Sequence, residues 1–409
     1  MSRILWMSNA PWAGSGYGEQ TALFAPRFRD LGHTVGLAAN YGLQAAQSEW
    51  QGFPVFPAAG DSGNPFISTF AKYFKADIVI TLCDAWIMKP DNWSDGLRMA
   101  IWAPLDHYPI PPAVLAVLKH EKVTPIAMSR FGEHWMRKFK LDPLYVPHGV
   151  DTNRFRPMPE VRADVRDKLS IPHDAFVVGM VAANKANPSF PRKGFPQAFD
   201  AFASFVKKHK DAYLYVHSEA QPRGMDGIDL TKLARAVGIP GDKLAFPPEH
   251  AWHLGIMDNQ FIAELYQGFD VLLNPSMGEG FGIPILEAQA CGVPVIASDH
   301  SAMTELTQAG WLVEGDRWWD ALQASFAIMP SIKSIRAALE SAYEAREDQE
   351  LRDKAVEFAQ TYDADRVTGL YWKPVLEKLA GPREVPPLKV AQNGNRAQRR
   401  AAAKKKVTA

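Results

Sequence analysis

The 409-residue sequence contains little cysteine and no long apolar segment. Its two cysteines, Cys83 and Cys291, are far apart and lack metal-ligand spacing, which excludes a disulfide framework and indicates core thiols. The longest apolar runs, such as Ile78–Leu82, have the length of a strand and not the roughly 18 residues of a membrane span. The first seven residues are too short an apolar run for a signal peptide, and no small-residue cleavage site follows. We therefore expect a cytoplasmic protein without a transmembrane segment.

An excess of one charge is also absent, but the charges are unevenly placed. Of the 45 basic and 45 acidic residues, eight basic residues and one acidic residue lie in 381–409, which leaves 37 and 44 in the first 380 residues. This tail has almost no apolar residue after Val390, and we expect it to be disordered in isolation. Two interpretations stay open: a solubilising tail, or an arm that attracts nucleic acid, anionic lipid or an acidic protein.

The body of the chain repeats one pattern, a short apolar run followed by a stretch that could form a helix. A hydrophobic content of 47% and a charged content of 22% are typical of a soluble globular chain, and the length allows two or three domains. The runs fall into two sets: 4–7, 35–39, 78–82, 99–103 and 123–128, then 176–181, 213–217, 271–273 and 293–297. Continuous apolar runs suit strands covered on both faces. The sequence predicts an α/β protein with two doubly wound, Rossmann-like domains facing across a cleft.

The composition of successive segments predicts the domain boundaries. We expect a first domain over 1–150, a linker rich in Arg, Pro and Asp over 151–172, and a second domain over 173–363. Residues 364–380 form a helical pattern that could pack back on the first domain, with Pro374 as a kink. The apolar face predicted for this helix consists of Val367, Leu370, Tyr371, Val375, Leu376 and Leu379. Residues 381–409 are the basic tail.

A glycine-rich loop follows the first apolar run. Gly14, Gly16 and Gly18 alternate with other residues and lead into a helix, whose free N–H groups could bind an anion such as a diphosphate. The spacing is not G-x-G-x-x-G, and no acidic residue closes a second strand, so nicotinamide binding is disfavoured. The loop by itself is either a tight turn or a ligand cradle.

The segment after the run at 271–273 carries two carboxylates. Pro284 suits the first turn of a helix, which places Glu279 in the preceding loop and Glu287 about one turn inside the helix. Two such carboxylates could accept hydrogen bonds from two groups of vicinal hydroxyls. Without further context, Glu279 could equally be an acid favourable near a helix start and Glu287 a solvated helix residue.

In the run G-E-G-F-G-I-P-I-L-E-A-Q-A-C-G-V-P, Glu279 and Glu287 are separated by seven residues. This segment closely resembles the E-x7-E signature of nucleotide-sugar glycosyltransferases of the GT-B fold, retaining family 4. Other segments are similar to the family in the same order: 129–132 (S-R-F-G), 147–157 (P-H-G-V-D followed by F-R-P), 192–194 (R-K-G) and 265–276. The resemblance covers residues 1–380 and leaves the basic tail outside it.

The resemblance implies a role for each matching residue. Arg192 and Lys193 would hold the donor diphosphate, a task that suits a forked guanidinium and a mobile ammonium. Glu279 would bind hydroxyls of the donor sugar, and the loop of Gly280, Phe281 and Gly282 would offer it backbone N–H groups. Glu287 would accept hydrogen bonds from the ribose. The resemblance further implies that Gly14 and Gly16 let the first domain's loop close over the diphosphate; for Gly16 the match is weaker, since the family loop often has adjacent glycines.

The first domain departs from the family pattern. Members usually carry a histidine after the fourth strand, near the transferring sugar, whereas this chain has Asp106 at that level and His107 beside it. Asp106 is the first candidate for contact with the donor sugar and His107 the alternative, which would point elsewhere in an extended segment. Asp84 is a candidate for the acceptor side. Four aromatic residues near these loops could bind sugar rings or pack the loop layer: Trp86, Trp93, Trp102 and Tyr108.

The resemblance implies transfer of a glycosyl group from a nucleotide sugar to an acceptor hydroxyl with retention at the anomeric carbon. The donor is a substrate, so no cofactor is expected, and no Asp-x-Asp motif stands in a donor loop, so no obligatory metal is expected. Two alternatives remain: a nucleotide-sugar epimerase of the same fold, and a non-catalytic nucleotide-sugar-binding or scaffold protein.

The acceptor stays unassigned among a glycan, a lipid, a protein and modified nucleic acid. The tail, similar in composition to tails of actinobacterial and phage-encoded proteins, adds two alternatives to a plain cytoplasmic location: the periphery of a membrane and an assembling particle.

Overall fold

The computed structural model describes residues 1–44, 46–57, 64–185, 190–222 and 227–381. The predicted basic tail therefore lies outside the described residues except for Gly381. Two parallel sheets with helices on both faces follow one another along the chain, so the predicted fold class is confirmed. Of the helices in the described part of the chain, none combines the length and apolarity that crossing a bilayer requires.

The first domain is built on an eight-stranded sheet. Its strands are β1 (Arg3–Ser8), β2 (Thr34–Ala39), β3 (Ser48–Trp50), β4 (Phe53–Phe56), β5 (Ile78–Leu82), β6 (Met99–Ala103), β7 (Val123–Ala127) and β8 (Leu144–Tyr145). Its helices are α1 (Gly16–Asp30), α2 (Asn64–Phe74), α3 (Pro112–Leu118) and α4 (Arg130–Lys138). The order is β3-β4-β2-β1-β5-β6-β7-β8, and only β3 pairs antiparallel.

Burial on both faces explains the continuous apolar runs. In β1, Ile4 and Trp6 pack into the core on one face of the sheet, and Leu5 and Met7 pack into a second core on the other. Successive strand side chains point to opposite faces, so a strand covered on both sides needs apolar residues at every position. Cys83 and Cys291 are buried free thiols, as predicted.

The second domain contains a six-stranded parallel sheet. Its strands are β9 (Phe176–Val181), β10 (Ala212–His217), β11 (Leu244–Ala245), β12 (Val271–Asn274), β13 (Val295–Ser298) and β14 (Gly310–Val313), in the order β11-β10-β9-β12-β13-β14. Its helices are α5 (Arg162–Lys168), α6 (Phe195–Lys208), α7 (Leu230–Val237), α8 (Glu249–Leu254), α9 (Asn259–Gln267), α10 (Ile283–Ala290), α11 (Ala302–Leu306), α12 (Ile332–Glu344) and α13 (Gln349–Gln360).

The segment assigned to the linker includes α5, which packs on the second domain. Arg166 of this helix is buried and donates to Asp270 at 2.8 Å, and Arg162 donates to the other oxygen of Asp270 at 2.6 Å. A buried guanidinium is stable only when its donors are paired. Composition alone did not predict this packing, because the many polar residues of 151–172 are typical of a solvent-exposed linker.

A hairpin that the sequence did not predict projects from the second domain. β15 (Gly315–Asp320) and β16 (Ser325–Pro330) pair antiparallel and form a sheet of their own. Backbone hydrogen bonds between Tyr108 and Phe326, of 2.9 and 3.1 Å, attach the hairpin to the first domain. The hairpin therefore bridges the two domains.

The chain returns to the first domain through α14 (Ala364–Val367), a π-helical turn (Thr368–Trp372) and α15 (Lys373–Ala380). Trp372 is buried among rings of the first domain, with ring centroids 4.9 Å from Trp102 and 5.8 Å from Trp6. The prediction that Leu370 lies on the apolar face is wrong, because its side chain is 57% exposed. Because a π turn contains more residues than an α turn, the apolar face of the helix is shifted by one residue, and Trp372 is buried instead of Leu370.

Candidate functional site

The candidate site lies where the carboxyl ends of the two sheets meet. Arg192 and Lys193 follow β9, Glu279 follows β12 on the neighbouring strand, and Asp106 follows β6 of the first domain. Ligands of doubly wound sheets bind beyond these ends. The close approach of the loops is visible at Gly280, where an added Cβ would lie 2.3 Å from Cβ of Pro104. Loops of both domains thus line one cleft.

Glu279 is the centre of a charged cluster. Its Oε1 lies 2.5 Å from Nζ of Lys193 and accepts a hydrogen bond of 2.6 Å from Oγ of Ser276, and its Oε2 lies 3.2 Å from Nη1 of Arg192. Burial favours the neutral acid, but the charges of Lys193 and Arg192 outweigh it and lower the pKa of Glu279 to about 2. The carboxylate is therefore ionised and buried against two cations.

The two cations respond differently to this environment. Burial and the neighbouring Arg192 together lower the pKa of Lys193, although Glu279 opposes them. Burial also acts against Arg192, but Glu279 and Asp106 raise its pKa, and the guanidinium donates to the carbonyl of Gly278 at 2.9 Å. The structure therefore holds Arg192 as a fixed charge between the two domains.

Asp106 and His107 belong to one network, although the sequence treated them as alternatives. Oδ1 of Asp106 lies 2.7 Å from Nδ1 of His107, and Oδ2 lies 3.7 Å from Nη1 of Arg192. Burial opposes ionisation of Asp106, but the His107 hydrogen bond and nearby cations lower its pKa to about 2. For His107, burial is outweighed by Asp106 and Asp320, which raise its pKa. The expectation that His107 points elsewhere is wrong.

Glu287 lies in a different environment from Glu279. It is in α10, as predicted, and its Oε2 accepts a hydrogen bond of 2.9 Å from the hydroxyl of Tyr266. Burial and, to a smaller extent, Glu19 raise its pKa to about 8, although the Tyr266 hydrogen bond and Arg154 act in the opposite direction. Glu19 comes from the first domain and is hydrogen-bonded by Asn259 and Arg154. The E-x7-E spacing therefore joins one ionised and one protonated carboxyl group.

The glycines predicted at the site have different surroundings. Gly14 is exposed, and an added Cβ would meet no described atom within 4 Å. Gly16 starts α1, where a Cβ would lie 3.1 Å from Ile283 at the start of α10. Gly282 caps α10 with a φ of 111°, a conformation that favours glycine. Phe281 is buried, and its ring stacks on that of His148 with the ring centroids 4.9 Å apart.

Asp84 lies in the same cleft, at its more open side. It accepts a hydrogen bond of 3.3 Å from the hydroxyl of Tyr17. The carboxylate is accessible to water, but the cleft walls reduce its solvation, and with Asp106 nearby they raise its pKa, while Arg192 acts in the opposite direction. Of the aromatic residues named with it, Trp93 and Trp102 are core residues and Trp86 is exposed.

Several site residues carried no sequence signal. His217 is the last residue of β10, which neighbours β9, and Ser218 follows it; Nδ1 of His217 and Oγ of Ser218 are buried without a hydrogen-bond partner in the described structure. The rings of Trp252 and Phe261 lie 5.3 and 6.0 Å from the His217 ring. His300 and Ser301 are a second example: they bond the carbonyl of Asp106 and the N–H of Glu279. Only their position after predicted strands could have indicated them.

Among the described residues, no group of three or more His, Cys, Asp or Glu side chains is arranged to hold a metal ion. Asp106, Asp84 and Glu279 each have a carboxylate in the cleft, but Arg192 lies near all three. Arg192 therefore offsets part of the negative charge of these three carboxylates.

Comparisons with known proteins agree with the resemblance read from the sequence. Residues 176–328 match the family model described as glycosyl transferases group 1. The D-inositol 3-phosphate glycosyltransferase of Acidothermus cellulolyticus is 32% identical over 178 residues, which cover 42% of this chain and 36% of that protein. The matches to the first three such relatives span 36%, 37% and 45% of their lengths.

Solved structures are similar over nearly the whole chain. Sucrose-phosphate synthase from Thermosynechococcus elongatus superposes with a TM-score of 0.69 at 16% identity, covering 93% of this chain and 97% of that one. Anabaena HepE in complex with UDP and glucose gives a TM-score of 0.66 at 15% identity, covering 93% and 100%. At these identities the likeness establishes the fold, which is GT-B.

Proposed function

We propose that this GT-B protein, whose residues 176–328 match the glycosyl transferases group 1, transfers a glycosyl group from a nucleotide sugar to an acceptor hydroxyl with retention of configuration. The observation that supports this most directly is the cluster in the cleft in which Lys193 and Arg192 lie 2.5 and 3.2 Å from the carboxylate oxygens of Glu279. An ion pair held at a ligand site can exchange partners when a diphosphate arrives.

The cations would hold the diphosphate. Arg192 and Lys193 would give up part of their contact with Glu279 to the donor phosphates, and the released carboxylate would accept hydrogen bonds from sugar hydroxyls. The N–H groups of 280–282 at the start of α10 would face the same sugar. As the glycosidic bond breaks, negative charge grows on the leaving diphosphate, and the fixed guanidinium would stabilise it.

The nucleoside would extend from this point along the second sheet. Glu287 would bind the ribose hydroxyls, and Tyr266 would orient its carboxyl group through the 2.9 Å hydrogen bond. Beyond it, α9 connects Tyr266 to Phe261, whose ring borders His217. The unpaired Nδ1 of His217 and Oγ of Ser218 would then face the base.

No protein nucleophile is needed in this proposal. A donor phosphate oxygen would take the acceptor proton on the face from which the leaving group departs, and the protein would supply position and charge. Asp106 would contact the transferring sugar, and closure of the two domains would exclude water that could hydrolyse the donor. We expect neither a cofactor nor an obligatory metal.

The test is nucleotide release from a panel of UDP-, GDP- and ADP-sugars by purified protein, beside the variant Glu279→Ala. Slow release from one donor, lost in the variant, would support the proposal and identify the donor. Sugar interconversion without release would instead indicate an epimerase. Binding without either reaction, persisting when candidate acceptors are added, would indicate a scaffold protein.

The acceptor would enter from the first domain, where Asp84 and Tyr17 lie beside the donor cluster. Its class stays open among a glycan, a lipid, a protein and modified nucleic acid. The basic tail, residues 381–409, would attract an anionic partner, which would bring the enzyme to a membrane surface or an assembling particle.

A further inference from the structure

The hairpin of β15 and β16 reaches the residues that flank the candidate site. Its base is bonded to the donor loop, since the N–H of Ile328 donates to the carbonyl of Met277 at 3.0 Å, two residues before Glu279. Its far end pairs with Tyr108, and Oγ of Ser325 donates to the carbonyl of Pro109. The hairpin thus holds the segment that contains Asp106 and His107 from the opposite domain.

One hairpin side chain, Asp320, is directed at His107. Oδ1 of Asp320 accepts hydrogen bonds from the N–H groups of Leu322 and Gln323, at 2.9 and 3.3 Å, and so caps the hairpin turn. Its second oxygen lies 3.4 Å from Nε2 of His107, within ion-pair distance, and Nε2 has no hydrogen-bond partner in the described structure. Both side chains are buried.

This contact extends the charged cluster into a chain of alternating sign. In order, it joins Asp320, His107, Asp106, Arg192 and Glu279, with separations of 3.4, 2.7, 3.7 and 3.2 Å. Asp320, Arg192 and Glu279 come from the second domain, and His107 and Asp106 from the first. The chain is complete only when the two domains are together.

We propose that Asp320 is a positioning residue: it holds His107 in the orientation that donates from Nδ1 to Asp106, and so couples domain closure to the placement of the Asp106 carboxylate. The inference rests on the proposed function, in which Asp106 contacts the transferring sugar. A carboxylate on the far side of an imidazole fixes both its rotamer and its proton. Without Asp320, the His107 ring is free to turn away from Asp106.

The charge of His107 is the measurable quantity. The titratable and charged groups that face it are Asp106 on its own loop, Asp320 on the hairpin, Arg192 after β9 and His300 after β13. Two carboxylates favour the imidazolium, and the guanidinium and the second imidazole oppose it. Removing one carboxylate therefore lowers the pH at which His107 loses its proton.

The test uses Asp320→Asn in the full chain. Asparagine can still accept from the two N–H groups of the turn, so the hairpin cap is kept while the charge facing His107 is lost. Asp316→Asn is the matched control, because Asp316 is an exposed residue of the same hairpin.

We expect Asp320→Asn to lower kcat about tenfold or more at pH 8 with little change in the donor KM. The kcat of this variant should approach that of the wild type as the pH falls. The control should match the wild type throughout. An unchanged kcat and pH profile in Asp320→Asn would overturn the proposal, and so would an equal loss at every pH accompanied by a lower Tm.

A readout independent of turnover separates this proposal from the proposed function. The nitrogen chemical shifts of the His107 ring, assigned by comparison with His107→Gln, report its titration in the full chain. We expect the midpoint to fall by about one pH unit in Asp320→Asn. An unchanged midpoint would refute the coupling even if the wild type is a transferase, and a shifted midpoint together with the loss of kcat at pH 8 would support it.

Discussion

The hydroxyl of Tyr266 donates a hydrogen bond of 2.9 Å to the buried Oε2 of Glu287, a carboxyl group on which Glu19 and Arg154 act in opposite directions. Burial raises the pKa of Glu287 to about 8, which favours the protonated form at neutral pH. An ionised carboxylate is the better acceptor for the two hydroxyls of a ribose. Donor binding and proton release should therefore be linked.

We expect the affinity for the accepted nucleoside diphosphate to rise by at most about tenfold per pH unit up to about pH 8. Above that pH the affinity should stay constant. The sign follows from Glu287, which is protonated below this pH and must lose its proton to accept two hydroxyl hydrogen bonds. Titration calorimetry of UDP, GDP and ADP in buffers of different ionisation enthalpy measures the released proton directly. Glu287→Gln should bind more weakly and without this pH dependence; equal proton release in the variant would contradict the assignment.

The ion pair between Lys193 and Glu279 predicts the largest losses of turnover. We expect Lys193→Ala and Glu279→Ala each to reduce donor turnover by about 10² or more, the scale of one lost electrostatic contact in a transition state. Because the two side chains are 2.5 Å apart, the double variant should lose less than the product of the two single effects. Steady-state nucleotide release measures all three, with the exposed Lys210→Ala as control. Near-normal turnover in both single variants would refute the site.

The sequence predicted the fold well because its signal is local. A strand that is covered on both faces, such as β6, consists of apolar residues at each position, so its bounds could be predicted from residue type alone. The hairpin of β15 and β16 escaped prediction for the opposite reason. Trp318 and Trp319 are exposed on β15, and the hairpin pairs with Tyr108 of the first domain, a distant contact that no local pattern predicts.

The site was predicted in part for a similar reason. Arg192, Lys193, Glu279 and Asp106 stood in recognisable loops, and the structure brings them into one cluster. His107 was misplaced because the prediction assumed an extended segment, whereas the ring turns back onto Asp106 under the constraint of Asp320, 213 positions further along the chain. Contacts between domains at such separation leave no periodic trace in a sequence.

The close packing at Gly280 gives a test of domain closure. An added Cβ would lie 2.3 Å from Cβ of Pro104, so Gly280→Ala must push the first-domain loop away from the donor loop. We expect turnover to fall at least tenfold while the Tm changes little. Gly241→Ala is the matched control, because no atom lies within 4 Å of its added Cβ. Unchanged turnover in Gly280→Ala would show that catalysis does not need this contact.

The basic tail should be dispensable for chemistry. The described chain ends at Gly381 after α15, whose Val375, Leu376 and Leu379 are buried, and no residue of the candidate site lies beyond it. We expect deletion of 382–409 to leave donor hydrolysis within about twofold and to weaken binding to an anionic surface. Nucleotide release and sedimentation with anionic vesicles measure the two effects. A collapse of donor hydrolysis would show that the tail belongs to the catalytic unit.

Because of the π-helical turn, we expect substitutions of Trp372 and Leu370 in the C-terminal segment to affect stability very differently. Trp372 is buried among Trp6, Phe28 and Trp102, so Trp372→Ala should destabilise the protein by about 3 to 5 kcal/mol. Leu370→Ala should change the free energy of unfolding by no more than about 0.5 kcal/mol, because that side chain is 57% exposed. A regular helix with the apolar face predicted from the sequence would reverse this order. Urea unfolding of both variants, followed by tryptophan fluorescence and circular dichroism, distinguishes the two registers, and a larger loss at Leu370 would refute the π turn.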